Sequence, residues 1–277
     1  MNTTQPTTNE TQGAVPIGSG AWLDAIVCDD CMKVLPSLPD KSVDCVITDP
    51  PYGLTACEWD VPVPMTEWWA EIMRVTRGAV IVMAMQPFAT DVITANRAEF
   101  RYEMVWDKIA CTGFLNAGRR PLAAHELCLV FGNTATYNPQ KVAKTEKEIR
   151  RGWLEGKKYS FIGKPRREKG VYNVSLNEAR KDPTMKNPTT LMRFSSGNGH
   201  TKSKYDHPTQ KPISLMQYLV QTYTNPGEIV MDCFAGSGTT LVAAKQLNRR
   251  FVGIEKESKY VQIANRRLEQ SAMCLGV

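Results

Sequence analysis

The chain of 277 residues is long enough for one large domain with a smaller insert, and its hydrophobic fraction of 42% is ordinary for a globular protein. No signal peptide is recognisable and no apolar run approaches the length of a membrane span, so we expect a soluble protein in a reducing compartment. The zinc-like pair Cys28 and Cys31 lacks a second Cys or His pair at suitable spacing, so no metal site is expected.

Charge is distributed unevenly along the chain. Residues 141–211 carry 18 Lys or Arg and 7 Asp or Glu, a net charge of +11, which leaves −5 for the rest of a chain whose total is +6. A basic segment inside an otherwise acidic protein indicates a surface that faces a polyanion, and a solvated lysine-rich loop is the alternative explanation.

Residues 1–20 are polar, lack periodicity and predict a flexible tail. In residues 21–133, short β-branched runs typical of buried strands alternate with segments of helical periodicity, at the spacing of βαβ units. The predicted strands are 25–27, 43–47, 78–85, 100–108 and 125–132, and the predicted helices are 32–38, 66–75 (capped by Thr66) and 87–96. This pattern predicts the first half of a doubly wound α/β domain.

The most informative stretch is Asp49-Pro50-Pro51-Tyr52, directly after the strand at 43–47. Two prolines stiffen the chain just past the carboxyl end of that strand, where ligands bind in open α/β sheets. The amino group of a nucleobase is a poor nucleophile because its lone pair is delocalised into the ring. Asp49 and the Pro50 carbonyl could each accept one N–H and direct the lone pair at a methyl donor, while Tyr52 stacks on a base taken out of the duplex. Taken alone, the motif also fits an ordinary loop.

Regular alternation stops in residues 134–206, a stretch too long for an ordinary connection. Its basic side chains are interleaved with the aromatic residues Tyr137, Trp153, Tyr159, Phe161, Tyr172 and Phe194. Basic and aromatic side chains together suit contacts to phosphates and bases. We therefore predict a target-recognition insert that binds nucleic acid, with a purely structural insert as the alternative.

Alternation returns in residues 207–277, with predicted helices 213–223, 241–247 and 259–268 and predicted strands 228–232 and 250–255. A glycine loop between strand and helix, followed by an acid that ends the next strand, is the nucleotide-binding arrangement of doubly wound folds. The acid is Glu255, which could bind ribose hydroxyls, and Asp232 precedes the loop, where it could hold an amino group. The loop consists of Phe234, Ala235, Gly236, Ser237, Gly238, Thr239 and Thr240.

The glycine loop also indicates which kind of nucleotide it binds. Gly238 is not followed by the lysine of a phosphate-binding loop, and Leu241 stands where a dinucleotide fingerprint needs a third glycine. A nucleoside cofactor without a pyrophosphate fits better. S-adenosylmethionine is such a cofactor, and its sulfonium methyl is what an amino-group site requires.

With both motifs, the chain resembles the amino-directed DNA methyltransferases of the β order, in which the catalytic tetrapeptide precedes the cofactor loop and the recognition region lies between them. The hexapeptide His207-Pro208-Thr209-Gln210-Lys211-Pro212 also matches that family. The resemblance covers residues 26–268 and is weakest through the basic insert. It implies a Rossmann-like methyltransferase sheet with circularly permuted motif order, base flipping of double-stranded DNA, and bound S-adenosylmethionine.

The same resemblance implies roles for further residues. Asp30 would contact the adenosyl part of the cofactor, Phe234 its adenine face and Lys211 its carboxylate tail. Asp49 in the first motif position is typical of adenine-N6 enzymes, whereas Ser is more usual in cytosine-N4 enzymes. We expect a cytoplasmic enzyme of a bacterium or a phage-infected cell.

Several alternatives stay open at this stage. They are cytosine-N4 methylation, a catalytically silent DNA-binding protein, and methylation of RNA or of a protein amide. The sequence gives neither the recognition site nor the oligomeric state, so a homodimer and a cognate restriction enzyme also stay open.

Overall fold

A mixed sheet of eight strands organises the structure, a computed structural model that describes residues 22–53, 61–150, 184–195 and 210–273. The strands within these residues are β1 (Ala25–Cys28), β2 (Cys45–Thr48), β3 (Ala79–Ala84), β4 (Phe100–Thr112), β5 (Ala123–Gly132), β6 (Val142–Ala143), β7 (Met185–Lys186), β8 (Leu191–Arg193), β9 (Ile229–Asp232) and β10 (Arg250–Glu255). The helices are α1 (Cys31–Val34), α2 (Met65–Val75), α3 (Phe88–Ala95), α4 (Ile213–Tyr223), α5 (Thr239–Gln246) and α6 (Ser258–Met273).

The spatial order of the sheet is β1-β10-β9-β2-β3-β5-β4-β8. The first five strands in this order are parallel, β5 is antiparallel to both of its neighbours, and β8 runs parallel to β4. Strands β6 and β7 form a separate antiparallel pair. The order places β2, which ends at the Asp49 motif, directly beside β9, which ends at the glycine loop. The carboxyl ends of these parallel strands therefore meet at one edge of the sheet.

Helices cover both faces of the sheet, which explains why its central strands are apolar throughout. Successive residues of β2 point to opposite faces of the sheet. Val46 packs in a core with α2 and α3, and Ile47 packs in a second core with α4 and α5. All residues of β2 and β3 are buried. The prediction of a doubly wound α/β fold is confirmed. Among the described residues, none of the helices is both long enough and apolar enough to cross a membrane.

Helix α2 starts one residue earlier than predicted. Pro64 occupies the N-cap position, and its carbonyl accepts the first helical hydrogen bond from Trp68 N at 2.9 Å. No side chain caps this end, so the predicted cap at Thr66 is wrong. The helix is fixed instead by its buried face, which includes Trp68, Trp69 and Ile72.

Strands β4 and β5 are longer than predicted and form an antiparallel hairpin. Part of the predicted insert, residues 134–206, belongs to the main sheet, since β8 pairs with β4. Two of its aromatic residues also pack against α4: the Tyr137 ring lies 6.2 Å from the Tyr223 ring, and the Phe194 ring lies 5.6 Å from that of Tyr218. The other four aromatic residues predicted to mark the insert lie outside the described residues.

Candidate active site

A cavity of about 720 Å³ opens at the carboxyl ends of the parallel strands. It is lined both by the Asp49 motif and by the glycine loop, which lie far apart in the chain. The predicted site residues on its wall are Asp30, Asp49, Pro50, Pro51, Tyr52, Lys211, Asp232, Phe234, Ala235, Gly236, Ser237, Thr239, Thr240 and Glu255. This volume is ample for a nucleoside-sized ligand with a second group beside it.

The two motifs are joined by a direct hydrogen bond. Thr48 at the end of β2 donates its hydroxyl to Asp232 Oδ1 at the end of β9, at 2.9 Å, across 184 residues of chain. Both side chains are buried. The bond follows from the parallel pairing of β2 with β9, in which Val46 lies opposite Met231. One half of the cavity wall therefore fixes the position of the other half.

Carboxylates surround the end of the cavity beside the glycine loop. Asp232 Oδ1 also accepts from Phe234 N at 3.1 Å, and burial raises the pKa of Asp232 to about 6. Glu255 Oε2 accepts from Gly236 N at 2.7 Å, and burial raises its pKa as well, against the opposing effect of its backbone hydrogen bonds. Asp30 caps α1 by accepting from Met32 N at 2.9 Å and faces the cavity at the same time.

The glycine loop is held from outside by a residue that the sequence did not single out. Arg267 on α6 donates to the carbonyl and hydroxyl of Ser237 at 2.6 and 2.9 Å and to Thr239 Oγ1 at 3.0 Å. Ser237 Oγ in turn donates to Gln210 Oε1 at 3.1 Å. Gly238 is the one predicted loop residue that does not line the cavity. It has φ +75°, and a Cβ there would lie 2.7 Å from Ala264 Cβ of α6.

Asp49, also on the cavity wall, has two partners. Tyr52 donates its hydroxyl to Asp49 Oδ1 at 2.7 Å, and Lys211 Nζ lies 2.5 Å from Asp49 Oδ2. Burial and the nearby carboxylate raise the pKa of Tyr52 well above 10.0, so the phenol stays protonated and remains a donor. The Tyr52 ring stacks on Phe88, with centroids 5.0 Å apart and planes at 24°. One face of Tyr52 is therefore already covered by the protein.

A buried charge cluster continues from Lys211. Its Nζ lies 3.3 Å from Glu126 Oε2, and Lys108 Nζ lies 2.7 Å from Glu126 Oε1. Burial alone would favour the neutral forms, but the ammonium groups of Lys211 and Lys108 lower the pKa of Glu126 and the carboxylates of Asp49 and Glu126 raise that of Lys211. Glu126 and Lys211 are therefore both ionised near neutral pH, within a cluster of two lysines and two acidic side chains.

The charge cluster was missed at the sequence level, although it left a signal. Glu126 sits at the start of the apolar strand 125–132, and Lys108 stands at the end of the strand 100–108. Charged residues at such positions are rarely buried unless they are paired. The two strands are antiparallel neighbours, which brings both side chains to the edge of the sheet that holds Asp49.

Three residues of the predicted hexapeptide, His207, Pro208 and Thr209, lie outside the described residues. Among the residues that the structure describes, no group of His, Cys, Asp or Glu side chains has a geometry that could hold a metal ion. The described cysteines are free thiols, Cys28 and Cys31 included.

Comparison with known proteins gives concordant results. The DNA methylase family profile for N6 and N4 methyltransferases matches residues 43–266. The type II methyltransferase M.HpaI of Haemophilus parainfluenzae is 27% identical over an alignment of 256 positions that covers 88% of this chain and 74% of that protein. The type II methyltransferase M.BglII of Bacillus subtilis is 29% identical over an alignment of 270 positions that covers 87% of this chain and 68% of that protein.

Solved structures show the same fold. The complex of M1.HpyAVI with SAM superposes with a TM-score of 0.57 at 26% identity, covering 88% of this chain and 98% of that one. The cytosine-N4-specific PvuII DNA methyltransferase also gives a TM-score of 0.57, at 17% identity, covering 90% of this chain and 89% of that one. The sheet is thus the Rossmann-like methyltransferase sheet that the sequence predicts. With a family profile that spans most of its length, the chain belongs to the DNA methylase family of N6 and N4 amino-methyltransferases.

Proposed function

We propose that the protein transfers a methyl group from S-adenosylmethionine to N6 of an adenine that is extruded from duplex DNA. The observation that carries this proposal is the junction of the two motifs in one cavity, with Thr48 bonded to Asp232 at 2.9 Å. A methyl donor held by the glycine loop and an amino group held by Asp49 would share that cavity. Asp49 as first residue of the tetrapeptide favours adenine, the base that this motif serves by resemblance.

The loop half of the cavity fits S-adenosylmethionine by its chemistry. Glu255 beside the glycine loop is an acceptor for ribose hydroxyls, and Phe234 offers an aromatic face to adenine. Asp232 is buried, and burial raises its pKa to about 6, so an adjoining ammonium group would favour its ionised form. M1.HpyAVI, which shares the fold, was solved as a complex with SAM, and this supports the same cofactor here.

The Asp49 half of the cavity fits an aromatic amino group. S-adenosylmethionine supplies an electrophilic methyl group, whose bond to sulfur breaks with its electron pair remaining on sulfur. Asp49 accepts one N–H of the amino group and the Pro50 carbonyl accepts the other, which turns the nitrogen lone pair towards the methyl carbon. Asp49 then takes the proton that nitrogen loses once the N–C bond forms. Tyr52, braced by Phe88, stacks on the extruded base.

Lys211 serves the target-base half in this proposal, and not the carboxylate tail of the cofactor. Its Nζ contacts both Asp49 and Glu126, two carboxylates that are not part of the glycine loop. A carboxylate has about four acceptor sites, so Asp49 can bind Lys211, Tyr52 and a substrate N–H together. Lys211 thereby orients the catalytic carboxylate.

The insert at residues 134–206 remains our candidate for target recognition. Its net positive charge suits phosphate contacts, which position a protein on DNA. We also propose a homodimer and a cognate restriction enzyme, which are compatible with the type II relatives.

Nucleoside mass spectrometry tests the proposed function most directly. Unmethylated plasmid DNA is incubated with S-adenosylmethionine and either the protein or its Asp49→Ala variant, and the DNA is digested to nucleosides. N6-methyladenine that depends on Asp49 supports the proposal. N4-methylcytosine would keep the mechanism and replace the base. If the wild-type protein binds S-adenosylhomocysteine but forms no modified nucleoside, DNA is not its substrate. The remaining hypotheses are then methylation of RNA or of a protein amide, or a silent DNA-binding role.

A further inference from the structure

The connection between β4 and β5 exposes apolar side chains beside the cavity. Residues 113–122, here termed the hairpin tip, contain a short 3₁₀ turn at Phe114–Asn116. Leu115 is 102% exposed and Phe114 is 68% exposed, which makes Leu115 the most exposed large hydrophobic residue that the structure describes. An adjacent pair of large apolar side chains that face solvent marks a contact surface more often than a chance feature.

The hairpin tip borders the mouth of the cavity. Thr112, which precedes it, and Arg120 within it both line the cavity wall that also includes Asp49 and Tyr52. Arg119 and Arg120 are exposed. The two apolar side chains therefore share a short connection with two arginines, one of which lines the cavity that holds Asp49.

The backbone that leads to the hairpin tip is held in an uncommon conformation. Ile109 has φ +67°, a region that β-branched residues rarely occupy, and its N–H donates to Asp107 Oδ1 at 2.9 Å. The pairing of β4 with β5 shifts register between Asp107 and Thr112. Backbone strain of this kind persists only where the surrounding structure imposes it, and it is concentrated at functional sites.

We propose that the hairpin tip is the wedge that keeps the duplex open while the target base occupies the cavity. Leu115 and Phe114 enter the stack beside the extruded nucleotide and replace its lost stacking contacts, and Arg119 and Arg120 contact the flanking phosphates. The proposal rests on the proposed function, since it needs a flipped base. Leu and Phe are among the side chains that proteins insert between base steps, and arginine is suited to bidentate contacts with phosphate.

The position of the two arginines selects DNA over another protein as the occupant. An apolar patch that docks a protein has no need of a cavity at its edge, whereas a wedge must stand next to the pocket that receives the base. The same guanidinium groups lie within reach of the backbone of a strand whose base enters that pocket.

Two duplexes distinguish a wedge from an ordinary DNA contact. The methylated site is first mapped on unmethylated plasmid DNA and placed in a short duplex, either fully paired or with an abasic position opposite the target base. The variant is the double substitution Phe114→Ser/Leu115→Ser, and the control is Gln262→Ser, which replaces an exposed residue of α6 that does not line the cavity. Binding of S-adenosylhomocysteine at the wild-type affinity verifies that each variant is folded.

We expect the double variant to methylate the paired duplex about tenfold more slowly or worse, because base extrusion loses its substitute stacking contact. On the abasic duplex, where the target base has no pairing partner, the loss should shrink to about threefold or less. Gln262→Ser should keep the wild-type ratio between the two duplexes. An equal loss on both duplexes, or no loss on either, would overturn the wedge. If the wild-type protein itself modified no DNA, the proposed function would fall, and the wedge with it.

Discussion

Lys211 Nζ lies 2.5 Å from Asp49 Oδ2, although 162 residues separate the two in the chain. The contact exists because Asp49 follows β2 and Lys211 precedes α4, which packs over the same part of the sheet. It has a chemical consequence. The first carboxylate of the family motif is paired with a cation inside the protein, so its orientation is fixed before any substrate arrives.

Replacing Lys211 by Met should slow methyl transfer and leave cofactor binding nearly unchanged. Asp49 would lose its fixed partner, and Glu126 would keep only Lys108. We expect kcat to fall by at least about tenfold, the effect of a catalytic group held less precisely. The dissociation constant of S-adenosylhomocysteine, measured by calorimetry, should change by less than about threefold, which corresponds to less than about 0.7 kcal/mol.

A cofactor fragment sharpens this test. 5′-Methylthioadenosine lacks the amino-acid tail, so a cation that binds the tail carboxylate would favour S-adenosylhomocysteine over the fragment. We expect Lys211→Met to leave the affinity ratio of the two ligands as it is in the wild type, and the surface variant Lys33→Met to behave in the same way. If the preference for S-adenosylhomocysteine over the fragment is lost in Lys211→Met but not in Lys33→Met, Lys211 binds the carboxylate tail of the cofactor and does not serve the target base.

Asp232 should make cofactor affinity depend on pH. Burial raises its pKa from 3.8 to about 6, so the carboxylate becomes protonated as the pH falls through 6 and no longer attracts an ammonium group. The affinity for S-adenosylhomocysteine should therefore decrease between pH 7.5 and pH 5. In Asp232→Asn, the affinity should be low throughout and this step should vanish. If the affinity of Asp232→Asn decreases with falling pH by as much as that of the wild type, the pH dependence belongs to another group.

The same group affects stability with a definite sign. A carboxyl whose pKa is higher in the folded protein than in the unfolded chain stabilises the fold when protonated. This contribution is complete below about pH 3.8 and is lost as the pH rises through about 6. Other carboxyls such as Glu126, whose pKa is lowered, act in the opposite direction, so the contribution of Asp232 is isolated only by comparison with Asp232→Asn.

The sequence predicted the parallel core and both motifs because each carries a local signal. The strand at β2 is β-branched and short, the prolines mark its end, and the glycines mark the loop after β9. Helix α4 and strand β10 begin and end at the predicted residues. These elements are defined by their own residues, and the structure needed only to bring them together.

The features that the sequence did not reveal depend on pairing between distant residues. The β4–β5 hairpin looks like two further strands of an alternating pattern, because the connection between them carries no distinctive turn motif. The sequence does not pair Lys108 with Glu126, and it assigns Lys211 to the cofactor. Only the register of β4 on β5 and the approach of α4 make the three residues a buried cluster. Arg267 similarly gains its role from the packing of α6 against the glycine loop.

The pair Lys108–Glu126 should contribute to stability in a non-additive way. The two groups lie 2.7 Å apart and are both buried. Removing one charge leaves the other without compensation, so we expect Lys108→Met and Glu126→Gln each to cost about 3 to 5 kcal/mol of unfolding free energy. The double variant should cost less than the sum by at least about 1 kcal/mol. Urea denaturation of the four proteins measures this coupling, and strictly additive losses would contradict a working ion pair.

Gly238 should tolerate no side chain because of both its backbone and its neighbour. It has φ +75°, and an added Cβ would lie 2.7 Å from Ala264 Cβ. Gly227 is the matched control, since it has φ +85° and nothing lies within 4 Å of an added Cβ. Gly227→Ala should cost only the backbone penalty, about 1 to 2 kcal/mol, whereas Gly238→Ala should cost about 1 to 3 kcal/mol more because the glycine loop must move away from α6.

The contact with Ala264 can be tested by removing it. In an Ala264→Gly background the Cβ that blocks residue 238 is gone, although Ala264 Cα would still lie 3.3 Å away. The added cost of Gly238→Ala should then fall most of the way to that of Gly227→Ala, and binding of S-adenosylhomocysteine, weakened in the single variant by displacement of the loop, should recover. If Gly238→Ala costs the same in both backgrounds, backbone conformation alone requires glycine here, and the packing of α6 does not position the loop.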